Sequence, residues 1–251
     1  MSDPVSVEPP AHRIALPASV TLAGLFCGML SMSWAADRPY AACCAIIAAG
    51  LFDMIDGRVA RMANARSSFG AEIDSLADIV SFGVAPAWLS YQWALAEPGA
   101  TGIDWWLLFG FVFAACSAVR LARFNVGAAA DTGPTIFFGG LPTPAGALFV
   151  TTVIMAAHEL GLEEQLRDRR VIAPLLVVGG ALMVSNLPLP SYKTFPNRTL
   201  KFSYYGLIVF GLTLLLLGLP GGTVLFGFVV YYILSGLVNA RSRKAQVAEA
   251  D

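Results

Sequence analysis

Charge is scarce in this chain: Asp, Glu, Lys and Arg make up 13% of 251 residues, against 57% hydrophobic. So small a polar complement cannot cover a water-soluble globule of this length, and it places the sequence among proteins that cross a bilayer several times. Histidine is scarcer still. Only His12 and His158 occur, which leaves little for an imidazole nucleophile or a nitrogen-rich metal site. The four cysteines, Cys27, Cys43, Cys44 and Cys116, lie in apolar runs with no CxxC spacing and no histidine beside them, so they read as small apolar core residues. A net charge of −1 favours no partner of either sign, and no nucleic-acid partner is expected. Repeats of solenoid period, low-complexity blocks and any soluble domain are lacking. The first residues lack a basic n-region, so no cleaved signal peptide is expected and residues 1–12 read as a disordered tail.

What the chain does have is apolar runs of bilayer length, at roughly 17–35, 38–60, 68–96, 104–124, 140–158, 170–187, 202–218 and 221–240. The expected fold is all-α: one polytopic membrane helix bundle of about eight transmembrane helices filling residues 13–240, with a cytoplasmic tail over 241–251. Pro86 and Pro144 interrupt two of the runs, which membrane helices tolerate when neighbours satisfy the freed backbone groups. Basic residues orient the bundle. With a cytoplasmic N-terminus, Arg13, Arg58, Arg61, Arg66, Arg120, Arg123, Lys193, Arg198, Lys201, Arg241, Arg243 and Lys244 all fall on the cytoplasmic side, so both termini are expected there.

Against this background the stretch FDMIDGRVARMANARSSFGAEIDSLADIVSFG stands out. A carboxylate at the centre of a membrane helix costs roughly 2.5–3.5 kcal/mol, so Asp53, Asp56, Asp74 and Asp78 together would cost on the order of 10 kcal/mol if nothing compensated them. Helical periodicity gathers them. Asp53, Asp56, Gly57, Ala60 and Arg61 form one stripe, and Gly70, Asp74, Asp78 and Ser81 form another on the next helix, so the two can face each other as an antiparallel hairpin. Four carboxylates without His or Cys make an all-oxygen site suited to two hard cations, Mg2+ or Mn2+, the usual device for phosphoryl displacement. A buried Asp–Arg network is the plainer reading, but acids outnumber arginines on the shared face.

The spaced pattern Asp53-x2-Asp56-Gly57-x2-Ala60-Arg61-x8-Gly70-x3-Asp74-x3-Asp78 resembles the signature of the CDP-alcohol phosphatidyltransferases, membrane enzymes that move a phosphatidyl or similar group from a CDP-linked donor to an alcohol. The resemblance implies metal ligation by Asp53, Asp56 and Asp74, with Asp78 at the same centre as the catalytic base, and CDP contacts from Gly57, Ala60, Arg61 and Gly70. Outside the signature, DSLADIVSFGVAPA, RLARFNV, FFGGLPTPAGA and MVSNLPLPSYK resemble the bacterial and archaeal branch that uses CDP-diacylglycerol and L-serine. One departure is Gly24, in TLAGLFCG, where that branch often carries Asn. A zwitterionic acceptor needs a cation for its carboxylate. Arg120, Arg123 and Lys193 are candidates, with Asn125 for the amine or a hydroxyl; snorkelling to the interface is the competing explanation of the basic residues. The resemblance further implies a homodimer in the cytoplasmic membrane, with the active site on the cytoplasmic side among membrane lipid. Other acceptors, such as glycerol 3-phosphate, inositol phosphate or choline, share the signature. A cation-coupled transporter is a remoter alternative, because such proteins spread their acids over two repeats.

Overall fold

A computed structural model describes residues 11–62, 67–97, 104–129, 137–190, 213–214 and 217–248. These residues are helical almost throughout. Helices α1 (Ala11–Trp34) and α2 (Pro39–Met62) are followed by a rod of changing pitch: α3 (Ser68–Asp78), a π-helical stretch Ile79–Val84, α4 (Ala85–Ser90) and a second π-helical stretch Tyr91–Leu95. Then come α5 (Leu107–Ala129), α6 (Thr143–Glu159), the short α7 (Glu163–Leu166), α8 (Arg169–Val184) and α9 (Gly221–Ala248). Three stretches, Pro17–Trp34, Pro39–Val59 and Leu107–Gly127, are long and apolar enough to cross a membrane, and Gly221–Leu237 is a shorter apolar helix. The runs expected near 140–158 and 170–187 also form helices. That expected at 202–218 lies almost wholly outside the described residues, as do most of the N-terminal tail and Lys193.

Pro144 does little harm because it sits in the first turn of α6, where the missing N–H has few intrahelical partners to lose, and Pro86 falls inside the rod where π-helical pitch gives way to α4. One feature departs from an all-helical chain. Phe137–Gly139 (β1) pairs antiparallel with Pro188–Pro190 (β2), Phe138 opposite Leu189, in a two-stranded ribbon. Helical periodicity carries no sign of so short a pairing, and the two prolines confine β2 to an edge.

Apolar contact between helices gains little over contact with lipid, so close approach rests on small residues. Gly179 and Gly180 on α8 let α5 come near: a Cβ at Gly179 would lie 3.1 Å from Phe113, and one at Gly180 3.2 Å from the Cys116 sulfur. On α1, a Cβ at Gly28 would lie 2.8 Å from Ser81 Oγ and 2.9 Å from Ser81 Cα. Cys43 is buried, as a core residue should be, but Cys44 next to it is exposed on the outer face of α2, contrary to the expectation for all four cysteines. At the end of the bundle where α2 begins, Glu159 accepts from Tyr40 Oη at 3.0 Å and from the backbone N–H groups of Gly222 and Thr223 at 2.9 and 3.2 Å. That carboxylate satisfies orphan donors at the start of α9 and ties it to α6 and α2.

Candidate active site

Helix α3 starts where Ser67 caps it, its hydroxyl accepting from the Gly70 N–H at 3.0 Å. From that start the helical repeat carries Asp74 and Asp78 onto the face that also bears Gly70. Asp53 and Asp56 lie along α2, and carboxylate oxygens of Asp53, Asp56 and Asp74 come within 4.8 Å of one another. Asp78, one turn along from Asp74, lines the same cleft.

The two acidic stripes do not pack directly as a hairpin. Helix α1 lies against both α2 and α3, whereas α2 and α3 scarcely touch, so the carboxylates face each other across a cleft with α1 along its side. Like charges resist closer approach of the acids, and Thr21, Gly24 and Leu25 of α1 form part of the lining. Sequence reasoning missed Thr21 there and noted Gly24 only as a departure from the resemblance. Thr21 is 7% exposed and donates its hydroxyl to Asp56 Oδ2 at 2.7 Å. Gly24 offers its carbonyl to Ser81 Oγ at 3.3 Å, so Ser81, which belongs to the acidic stripe, serves as a tie between helices. The signal was present: Thr21, Gly24 and Gly28 recur at offsets 0, 3 and 7, one face of a helix.

Electrostatically the cleft is under-compensated. Asp56 is 6% exposed, and Asp74 Oδ1 is buried with no hydrogen-bond partner. Among the described residues no cation forms an ion pair with any of the four aspartates. Oxygen donors only, close convergence and an orphaned buried carboxylate oxygen fit a hard divalent cation. Of the expected CDP contacts, Gly57 follows Asp56 on α2 and Gly70 lies in the first turn of α3; the side chains of Ala60 and Arg61 lie outside the described residues.

The acceptor candidates separate. Arg120, on α5, donates from Nη1 to Thr143 Oγ1 at 2.7 Å and lies near enough to Asp78 for their charges to attract, though they form no ion pair. Its Nε is buried without a partner. Arg123 is exposed and donates to the Val184 carbonyl at 2.8 Å, closing the end of α8. Asn125 donates to Ser75 Oγ at 2.9 Å, linking α5 to α3 behind the acidic face. His158 is remote from all of this. It sits at the opposite end of α6, against the Tyr40 ring and 2.5 Å from Glu163.

Apolar helices around an all-oxygen, cation-ready cleft define a membrane protein equipped to manage the charge of phosphate groups. The sequence profile of the CDP-alcohol phosphatidyltransferases matches residues 14–190, and the chain belongs to that family. Similar proteins include the CDP-diacylglycerol–serine O-phosphatidyltransferases of Helicobacter pylori, 34% identical over 70% of this chain and 72% of the relative, and of Methanocaldococcus jannaschii, 32% identical over 75% and 79%. The enzyme of that name from Saccharomyces cerevisiae is 48% identical over a shorter stretch, 37% of this chain and 33% of its own.

Proposed function

We infer that the protein transfers the phosphatidyl group of CDP-diacylglycerol to L-serine and releases CMP. The observation that carries this reading is the convergence of Asp53, Asp56 and Asp74 within 4.8 Å, beside Asp78, in a chain whose relatives on both the bacterial and archaeal sides bear that activity in their names. Asp53, Asp56 and Asp74, with Asp78 at the edge, would hold two Mg2+ or Mn2+ ions. When bound, such ions neutralise the donor diphosphate and the oxygen that departs with CMP.

The chain's own residues do the rest. Asp78 takes the proton of the serine hydroxyl as its oxygen bonds to phosphorus, and the phosphorus–oxygen bond to CMP breaks in the same displacement. Arg120, whose charge acts on Asp78, holds the serine carboxylate, so that one hydroxy acid engages both residues. Of the basic candidates Arg120 suits this role best, because Arg123 is exposed and bonded elsewhere. Gly57, Ala60, Arg61 and Gly70 receive the CDP moiety. With His158 at the far end of α6, no imidazole among the described side chains is at hand to carry a covalent phosphatidyl group, which supports direct transfer with both substrates bound.

The reading places the protein in the cytoplasmic membrane as a homodimer, with about eight spans, both termini cytoplasmic and the cleft facing the cytoplasm among membrane lipid. Purified enzyme in detergent, given CDP-diacylglycerol and a panel of alcohols, tests it. Release of CMP with serine alone is the expected result, and preference for glycerol 3-phosphate, inositol phosphate or choline overturns the acceptor.

A further inference from the structure

We propose that Thr143 is a positioning residue for acceptor selection: it turns the Arg120 guanidinium so that the edge formed by Nε and Nη2 is left for the acceptor carboxylate. The proposal rests on the reading of Arg120 as the serine anchor and goes beyond it.

The backbone delivers Thr143 to this place by a series of constraints. After β1, Gly140 takes a left-handed conformation, φ 83°, and donates its N–H to the Leu187 carbonyl at 3.0 Å. Leu141, 1% exposed, then donates to the Leu182 carbonyl at 2.9 Å, so the segment is fastened to the end of α8 before α6 begins. Thr143 enters the first turn of α6 with 0% exposure. With a stiff β-branched side chain and no exposed surface, Thr143 is held by its neighbours, and its hydroxyl offers Arg120 a fixed point. That hydroxyl is not used to cap its own helix. It accepts from Arg120 Nη1 at 2.7 Å across 23 residues of chain.

The choice of nitrogen matters. A guanidinium docks a carboxylate side-on through Nε and the Nη on the same edge, which is Nη2, or end-on through its two Nη atoms. A bond to Nη1 occupies one of that atom's two N–H groups and leaves the side-on edge untouched by Thr143. On that edge Nε is buried and has no hydrogen-bond partner. A buried donor without a partner is a cost that a carboxylate ligand removes. Without Thr143, the flexible Arg120 side chain is free to swing toward Asp78, whose charge already attracts it.

The test measures KM for serine and for CDP-diacylglycerol in detergent with Thr143→Val, Thr143→Ser and Arg120→Ala. Thr143→Val should raise the serine KM about three- to tenfold, with the CDP-diacylglycerol KM within about twofold of wild type, and Thr143→Ser should restore the serine KM. If the Val variant does not fold, Thr143→Ala carries the same expectation. An unchanged serine KM in the Thr143 variants, while Arg120→Ala raises it, overturns the positioning role alone. Equal effects on both substrates, or no rescue by Ser, reduce Thr143 to a structural residue and also overturn it. An unchanged serine KM in Arg120→Ala removes the acceptor assignment beneath it.

Discussion

Replacing Gly28 by Ala should impair catalysis from a residue that bears no functional group. The new methyl carbon would sit 2.9 Å from Ser81 Cα and 3.2 Å from Ser81 Cβ. Carbon pairs settle at about 3.5–4.0 Å, so the backbone of the π-helical stretch must retreat by about 0.6–1.1 Å. Ser81 lies three residues past Asp78 and is bonded to Gly24, so this retreat moves the base and the α1 wall of the cleft together. Overpacking of this kind costs about 1–3 kcal/mol of stability. A displacement near 1 Å at a reacting group lowers turnover by on the order of 100-fold. CMP release from CDP-diacylglycerol and serine, measured beside a melting curve in the same detergent, reads both effects. Ser81→Ala in the same chain removes the hydroxyl contact at 2.8 Å but not the one at Cα, so it should rescue little. Activity within twofold of wild type and an unmoved melting temperature would refute the claim that α1 and the Asp78 rod are held at their limit of approach.

Chelation by excess EDTA should abolish activity, with Mg2+ or Mn2+ restoring it and Zn2+ serving poorly for want of nitrogen or sulfur ligands; full activity in EDTA would sink the di-metal reading. Asp56→Asn and Asp74→Asn should each lose nearly all turnover while keeping a wild-type melting curve, since both ease the crowding of negative charge. Asp78→Asn should bind CDP-diacylglycerol without transferring it, and wild-type kinetics should be sequential; parallel double-reciprocal lines with serine-independent CMP exchange would require a covalent intermediate instead. Gly140→Ala should lower stability by at least about 1–3 kcal/mol, the cost of a strained backbone site, because at φ 83° its Cβ would also run into the Met183 and Ser185 carbonyl oxygens; an unshifted melting temperature contradicts that packing.

The acidic stripes could be read from spacing because an α-helix repeats its faces every 3.6 residues, and Asp53 with Asp56, or Asp74 with Asp78, need only that rule to share a face. How the two helices meet is a different kind of fact. It depends on α1 packing against both along the side of the cleft; of the residues that permit this, Gly28 carries no chemistry to draw notice, and Gly24 drew it only as a departure from the resemblance. The roles of Arg120 and Arg123 were indistinguishable in sequence for a similar reason: both stand at the same end of α5, and only the arrival of Thr143 for one and Val184 for the other separates them. The ribbon of β1 and β2 escaped because three residues are too few to show a period of two.

The π-helical stretch after Asp78 bears on how the gene can change length. The Ala85 N–H reaches back five residues to the Val80 carbonyl, and the Ala96 N–H likewise to Tyr91, so each stretch stores extra chain within the rod. Deleting one residue between Ile79 and Val84 would remove that stored residue and let ordinary helix re-form with everything beyond it close to its present facing, whereas a deletion in a regular turn of the rod would turn the remainder by about 100° relative to Asp78. Leu89 and Trp93, now buried, would in the second case swing away from the core while the acids stayed in the cleft. Changes of length in this gene are thus tolerated best within the π-helical stretches and filtered most strictly in the regular turns beside them, although the residues of both look equally apolar.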